Sequence, residues 1–265
     1  MSTVPHRAEF TGTADLHLHT RHSDGEPTVP ELLDHVARRT TLDVIAICDH
    51  DTIAGALEAR HAARASGWPF EVIIGEEIST RHGHLVGLFL CERIRPGLSA
   101  ADAVAAIKEQ GGLAFAPHPF FRCKQVRDDA VTMVGLGELA GSLDLDAIET
   151  INSTPFLQAA NRRASAFNAT RRLPELGCSD GHILAAVGKG YTRFKGRTAL
   201  ELFDAIVTGQ TMACSRPYRT LDLLDYLRFW LKMTGGDVPS YLRLDRSTRP
   251  SGAEAGPTAV GAGRD

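Results

Sequence analysis

The chain has 265 residues, 43% of them hydrophobic, which is enough for one large α/β domain with a substantial core. Its net charge of -3 argues against a surface for nucleic acid, no apolar run approaches the ~18 residues of a membrane span, and the amino terminus lacks a basic segment followed by an apolar one. Five widely spaced cysteines without a C-x-x-C pair argue against disulfides and a zinc-thiolate site, so we expect a cytoplasmic protein.

Short apolar runs typical of buried strands recur along the chain, and amphipathic helical stretches lie between most of them. In chain order these runs are ADLHLH from Ala14, DVIAIC from Asp43, EVIIG from Glu71, HLVGLFL from His84, GLAFA from Gly112, DAIETI from Asp146 and ELGCS from Glu175. About seven strands alternating with helices, in a length close to that of a (β/α) barrel, predict a single barrel with about one unit fewer than usual.

Helix starts are well marked. Thr28 with Glu31, and Thr198 with Glu201, have the spacing of a capping box, and Ser99 precedes the periodic run AADAVAAIKEQ. No repeat or linker divides the chain before its carboxyl-terminal end, where a stretch rich in Gly, Pro, Ala and Ser lacks periodicity. We therefore predict one domain over 12–235 and a disordered tail over 246–265.

Polar side chains that suit a metal site follow most of the predicted strands. The segment DLHLHTRHSDG, residues 15–25, places His17 and His19 two apart, so on a strand both leave the same face about 7 Å apart. The carboxyl ends of parallel barrel strands form one rim, where residues distant in sequence converge. The other residues at strand ends are Asp49, His50, Glu76, Glu77, His118, Asn152, Asp180 and His182.

Each of these positions also has an ordinary structural interpretation. A single histidine after a strand, such as His118, is more often a loop or core residue, and the Asp49–Asp51 segment also suits a helix cap. The sequence barely chooses between Glu76 and Glu77. Such coincidences at five strand ends nevertheless favour a metal site, because independent caps would not require them.

The chemistry of the candidate ligands limits which metal ions and which reaction are expected. Imidazole and carboxylate donors without thiolate suit zinc, iron or manganese, and six or more ligands exceed the needs of one ion. A carboxylate such as Glu77 bridges two ions in clusters of this kind, so two to three divalent ions are expected. Such a cluster lowers the pKa of water and binds phosphoryl oxygens, which predicts hydrolysis of a phosphate ester.

The motifs resemble those of the polymerase and histidinol phosphatase (PHP) superfamily over roughly residues 13 to 215. In order they are DLHLHTRHSDG, ICDHDT, GEEIST, HLVGL, APHP and CSDGH. The resemblance implies a distorted (β/α)7 TIM-like barrel with up to three metal ions at its carboxyl-terminal rim. It implies as metal ligands His17, His19, Asp24, His50, Glu77, His84, His118, Asp180 and His182, of which His17, His19, Asp24, Glu77 and Asp180 are the expected catalytic residues.

Two departures from the family pattern bear on substrate binding. The connection from Leu88 to His118 is too short for the insertion usual in the nucleotide-phosphatase branch, and Asn152 stands where some relatives have a further histidine ligand. We assign Arg122, Asn152 and Arg162 to substrate binding, with Lys189 and Arg193 as comparable phosphate-binding candidates.

The leading hypothesis is a metal-dependent phosphatase that hydrolyses a small phosphomonoester, of nucleotide or sugar phosphate type, with a metal-activated water. The alternatives are a nuclease acting on oligonucleotide ends, a metal-dependent amidohydrolase and a non-catalytic PHP module. The net charge and the missing insertion weigh against the nuclease. No predicted strand carries the lysine common in amidohydrolases, and a degenerate module should have lost ligands that this chain retains.

Overall fold

The structure, a computed structural model, describes residues 10–124 and 132–233, and the side chains of 122–124 and 132–134 are outside the described part. The strands are β1 (Gly12–Leu18), β2 (Val44–Ile47), β3 (Glu71–Thr80), β4 (Gly83–Leu88), β5 (Leu113–Ala116), β6 (Arg122–Lys124), β7 (Thr132–Val134), β8 (Ala147–Asn152), β9 (Glu175–Cys178), β10 (Gly190–Phe194) and β11 (Thr211–Ser215). The α-helices are α1 (Val29–Arg39), α2 (Ala54–Ser66), α3 (Ala100–Glu109), α4 (Gln158–Arg171), α5 (Ala199–Val207) and α6 (Thr220–Met233).

Nine strands form one sheet in the order β11-β10-β1-β2-β3-β4-β5-β8-β9. The end of this sheet at β9 curls back to β1, where Leu18 forms a parallel bridge with Gly181 and the His19 N–H donates to the Gly181 carbonyl at 3.0 Å. The Thr211 hydroxyl of β11 also donates to the Glu175 carbonyl of β9 at 2.9 Å. The sheet is therefore a nearly closed barrel, which confirms the predicted TIM-like fold.

Strand direction differs from a uniformly parallel barrel at β4. A tight turn after Thr80 reverses the chain, so β4 is antiparallel to both β3 and β5. His84 at the start of β4 pairs in register with Ser79 near the end of β3. The reversal thus brings the amino-terminal end of β4 to the rim formed by the carboxyl ends of its neighbours.

The two faces of the sheet bury different residues. Val44 and Ala46 of β2 belong to the interior cluster, whereas Ile45 and Ile47 pack in a second cluster with the helices around the barrel. In β1 the pairing register shifts between Asp15 and Leu18. Such an irregularity re-aims side chains. His17 lies within it, and His19 follows directly after the strand.

The helices confirm the predicted starts. Thr28 and Thr198 form complete capping boxes with Glu31 and Glu201, and the Ser99 hydroxyl accepts from the third residue of α3. None of the helices within 10–124 and 132–233 has the length and apolar character of a membrane span. The predicted tail over 246–265 lies outside the described residues, and the domain limits 12–235 stay a prediction.

Candidate metal centre

Glu77, on the interior face of β3, has only 1% of its surface exposed, and its carboxylate contacts five imidazole rings. The nearest nitrogens are His17 Nε2 at 3.1 Å, His19 Nε2 at 3.2 Å, His50 Nε2 at 3.5 Å, His84 Nδ1 at 2.8 Å and His118 Nε2 at 3.0 Å. His84 and His118 face one carboxylate oxygen and the other three rings face the second. A single buried carboxylate therefore joins rings from four separate segments of the chain.

The side chains form three overlapping groups in which one ligand atom per residue lies within 4.8 Å of the others. The groups are His19, Asp24, His50 and His182; His17, His19, Glu77 and Asp180; and His50, Glu77 and His84. Because Glu77, His19 and His50 each belong to two groups, the groups are neighbouring positions in one centre. Eight of the nine ligands expected from the sequence lie in these groups, and the ninth, His118, contacts Glu77 directly.

The chemistry of the centre fits divalent metal ions. Both ring nitrogens of His19 and the Oδ1 atom of Asp180 are buried without a hydrogen-bond partner among the described residues. Leaving a buried polar atom unsatisfied costs roughly 1–3 kcal/mol, and more for a charged group. A cation held between imidazole and carboxylate donors satisfies these atoms.

The electrostatic environment keeps the two most buried carboxylates of the centre ionised. Burial opposes ionisation of Glu77, but the facing rings, with His50 and His84 foremost, hold the pKa of its carboxyl well below the usual range. Burial likewise opposes ionisation of Asp180, and His17 and His19 lower its pKa. Burial lowers the pKa of His50 to about 4. The other rings shift the opposite way, since facing carboxylates outweigh burial and raise the pKa of His17, His19, His84 and His182. Metal ligands need ionised carboxylates and neutral imidazoles, so ions that bind this centre would displace protons from the rings whose pKa is raised.

Local backbone geometry aims several of these side chains. His118 follows β5 with a φ of 26° and Asp180 follows β9 with a φ of 52°, both in a region that non-glycine residues adopt rarely. His50 forms an isolated parallel bridge with Glu77. Strained backbone of this kind clusters at functional sites, where surrounding structure maintains it.

Glu76, the neighbour of Glu77, points to the opposite face of β3. Its carboxylate accepts the Ile94 N–H at 2.7 Å, and Arg93 Nε lies 3.8 Å away. Burial raises the pKa of the Glu76 carboxyl to about 7, against the lowering effect of those two groups. The structure therefore favours Glu77, as expected, for the metal centre.

Glu149, which the sequence analysis did not select, supports the centre from behind. Its Oε1 lies 3.5 Å from His17 Nδ1, and its Oε2 accepts the backbone N–H of His118 and the Asn152 amide at 3.0 Å. A carboxylate on the far nitrogen of a ligating histidine fixes the ring orientation and tautomer. The available signal was an acidic residue inside a predicted buried strand.

Asp49 has a similar supporting role. Its carboxylate accepts the Thr20 N–H, the Thr20 hydroxyl and the Ser23 hydroxyl, each at 2.7 Å. These bonds fix the loop that carries Asp24, whose Oδ1 lies 3.2 Å from His182 Nε2. Asp49 thus positions a ligand from outside the three groups.

The side chains expected to bind substrate are placed differently. Asn152 is buried behind Asp180, donating to its Oδ2 at 3.1 Å, while the amide oxygen accepts the Thr154 N–H. These bonds give Asn152 a positioning role at the centre, and the expected substrate contact stays a prediction. Arg162 is exposed on α4 and has no hydrogen bond or ion pair to the centre in the described structure. Arg122 lies in β6, and its side chain is outside the described residues.

The two comparable phosphate-binding candidates are engaged elsewhere. Lys189 Nζ lies 2.7 Å from Asp222, and the Arg193 guanidinium donates to the Phe10 carbonyl at 2.6 Å. Both contacts join the barrel to flanking segments. These two cations therefore serve the fold, and the expectation that they bind phosphate finds no support in their contacts.

Comparison with known proteins agrees with this architecture. The family described as PHP-associated matches residues 158–211. The Methanocaldococcus jannaschii protein MJ1587 is 39% identical over 151 residues, 53% of this chain and 81% of its own length. A crystal structure from Bacteroides vulgatus, described as a two-domain protein containing a PHP-like metal-dependent phosphoesterase, superposes with a TM-score of 0.62 and 21% identity over 87% of this chain and 72% of its own.

Two named enzymes match shorter parts of the chain. The 5'-3' exoribonuclease of Haemophilus influenzae is 37% identical over 136 residues, 46% of this chain and 48% of its own length. The 3',5'-nucleoside bisphosphate phosphatase of Chromobacterium violaceum is 40% identical over 90 residues, 32% of this chain and 30% of its own length. The chain thus spans less than half the length of either enzyme.

In its barrel and its rim of histidines and carboxylates the chain is similar to metal-dependent phosphoesterases, which are hydrolases of phosphoric esters. The chain belongs to the PHP superfamily.

Proposed function

We propose that the protein is a phosphatase that releases phosphate from small phosphomonoesters of the nucleotide or sugar phosphate type. The observation that carries the proposal is the single buried carboxylate of Glu77 surrounded by five imidazole rings, with Asp24 and Asp180 beside them. Two to three divalent ions, of manganese, iron or zinc, suit the three overlapping groups of donors.

The ligand candidates differ in exposure, so the centre has a buried side and a side open to solvent. The nine ligand candidates named above would hold the ions, and Glu77 would bridge two of them because its two oxygens face different rings. When bound, such ions lower the pKa of water and neutralise charge on the phosphoryl oxygens. Glu77 and His17 are almost fully buried, whereas the side chains of Asp24 and His50 are 31% and 21% exposed. The phosphate ester therefore approaches from the side of Asp24 and His50.

The short connection between β4 and β5 supports a small substrate. Its helix α3 packs Ala103, Val104 and Ile107 into the cluster on the outside of the barrel. That helix is therefore occupied in covering the sheet, away from the rim. With no cover supplied by this connection, substrate affinity must come from the centre and the side chains around it.

A phosphate-release assay tests the proposal directly. The metal-free protein and samples reconstituted with Mn2+, Fe2+ or Zn2+ should be compared on p-nitrophenyl phosphate, adenosine monophosphate (AMP) and ribose 5-phosphate. We expect release only from reconstituted samples, and turnover of several of these esters. Folded protein, verified by circular dichroism, that releases no phosphate with any metal would contradict the proposal.

A second candidate is a nuclease that removes nucleotides from oligonucleotide ends. The similarity to the exoribonuclease of Haemophilus influenzae favours it, whereas the net charge of -3 does not favour a groove that tracks several phosphates. A labelled single-stranded RNA with a 5'-phosphate distinguishes the two functions. Cleavage of this RNA faster than release of phosphate from AMP would favour the nuclease.

A further inference from the structure

A groove of about 560 Å³ begins beside the metal centre. Its lining includes Asn152, whose amide nitrogen lies 3.1 Å from the Asp180 carboxylate, and it extends past Ser153 to Phe156. The other side is formed by residues 215–218, which begin at the last residue of β11, and by Leu223 of α6. Because β8 and β11 both end at this groove, it lies on the same rim as the metal ligands.

Phe156 at this groove is an exposed aromatic residue in a strained conformation. Its side chain is 58% exposed and its φ is 74°, in the left-handed region that favours glycine. A bulky side chain that is mostly exposed at this position adds little to the hydrophobic core. Backbone strain at such a position points to a function.

Aromatic rings continue from Phe156 toward the centre. Its ring centroid lies 5.8 Å from that of Trp230 on α6, and the preceding residue, Phe229, has its ring 5.8 Å from His182. We call Phe156, Phe229 and Trp230 the aromatic wall. The wall reaches from a metal-ligand candidate to the exposed ring beside the groove.

The polar groups of the groove complete the chemistry of a site for a nucleoside. Ser153 and Tyr218 carry hydroxyl groups 3.5 Å apart, Gln158 adds an exposed amide, and the described lining includes no carboxylate. Hydroxyls and an amide suit ribose and base edges, and an aromatic face suits a base ring. The volume lies within the roughly 300–1,000 Å³ typical of small-molecule sites.

We propose that this groove binds the nucleoside of a nucleotide substrate, with the base stacked on Phe156 while the phosphate lies at the metal centre. The inference rests on the proposed phosphatase function and specifies its substrate class. It makes Phe156 a specificity-determining residue that acts on the base and leaves the reacting phosphate untouched.

Equilibrium binding of adenosine tests the groove without catalysis. The chain has two tryptophans, and Trp68 packs against Phe70 on another part of the barrel, so W68F leaves Trp230 as the sole reporter. In this background we expect adenosine to change Trp230 fluorescence saturably. F156A should weaken adenosine binding about tenfold, within the range found when a stacking side chain is removed. F156Y should restore it, and L200A, at a side chain 71% exposed on α5, should leave it unchanged.

Kinetics on matched esters provide the second test. AMP and ribose 5-phosphate present the same phosphomonoester, and only AMP carries a base. We expect F156A to raise KM for AMP about tenfold, with KM for ribose 5-phosphate and both kcat values changed less than about twofold. An equal change for both esters, or none for either, would overturn the role of Phe156.

The two proposals fail in distinguishable ways. If neither ester is hydrolysed with any metal, the phosphatase function fails, and adenosine binding still decides whether the groove is a nucleoside site. If the esters are hydrolysed but adenosine does not bind and F156A behaves as wild type, the groove proposal is wrong while the phosphatase function stands.

Discussion

Glu76 and Glu77 are adjacent buried carboxylates on one strand, but only Glu77 lies in the candidate metal centre. Glu77 faces the barrel interior, where five imidazole rings keep it ionised. Glu76 faces the surrounding layer, where burial raises the pKa of its carboxyl to about 7 although it accepts the Ile94 N–H. The comparison shows that the chemistry of a buried carboxylate is set by the face of the strand from which it projects, since neighbouring residues alternate between faces.

The largest expected effect on metal binding and activity comes from mutating these two carboxylates one at a time. E77Q keeps the size of the side chain but removes the charge shared by the donor groups. We expect loss of tightly bound metal and a fall in kcat of roughly 10³-fold or more. E76Q should retain the metal and most of the activity, because Glu76 contacts a backbone amide outside the centre.

Metal content after reconstitution, measured by mass spectrometry, and phosphate release check this comparison. Circular dichroism of both variants is the control for folding. If E76Q loses metal while E77Q keeps it, our assignment of the two faces is reversed.

Glu149 extends the comparison to a carboxylate behind the ligands. E149Q should weaken metal affinity about 10- to 100-fold, because it loses the charge that orients His17 and accepts the His118 N–H. The measurement is a competition titration with a metal-sensitive dye, with E76Q as the matched variant of a buried carboxylate. Unchanged metal affinity in E149Q would show that packing alone holds the His17 ring.

Local sequence pattern was sufficient to predict most strands and several helix starts. The seven apolar runs became strands β1–β5, β8 and β9, and the capping pairs marked helix starts. Alternation along a strand also explains why Glu76 and Glu77 separate. The direction of β4 is not encoded in such a pattern, so only the family resemblance placed His84 at the rim.

Contacts between residues distant in sequence could not be predicted either, because a local sequence pattern carries no information on which strands meet. Glu149 and His17 are 132 positions apart, and only the closed sheet brings them together. Strands β10 and β11, which come after the last motif, were also not predicted. Arg162 shows where local pattern stops, since the residue is exposed on α4 without a hydrogen bond or ion pair to the centre in the described structure, and its assignment to substrate binding stays a prediction.

The smallest expected effect concerns a buried carboxylate that binds protein cations instead of metal ligands. Asp222 of α6 accepts from Lys189 Nζ at 2.7 Å and from the Arg219 backbone N–H at 3.0 Å. Burial opposes ionisation, but the Arg219 and Lys189 bonds lower the pKa of Asp222 to about 2. D222N should therefore destabilise the protein by about 1 kcal/mol at pH 7.

The pH dependence of this loss identifies its cause. Because the pKa of Asp222 is lower in the folded state than the ordinary 3.8, its ionised form stabilises the protein above that pH, and the stabilisation is lost as pH falls toward about 2. Urea unfolding of wild type and D222N at pH 7, 5 and 3 should show a difference that shrinks at the lowest pH. D225N is the matched control, since Asp225 pairs with Arg228 on the same helix but has a side chain 51% exposed, and it should change stability by less than about 0.5 kcal/mol. A D222N effect that stays constant from pH 7 to pH 3 would assign the loss to packing of α6, and Asp222 would then not act as an ionised partner of the two cations.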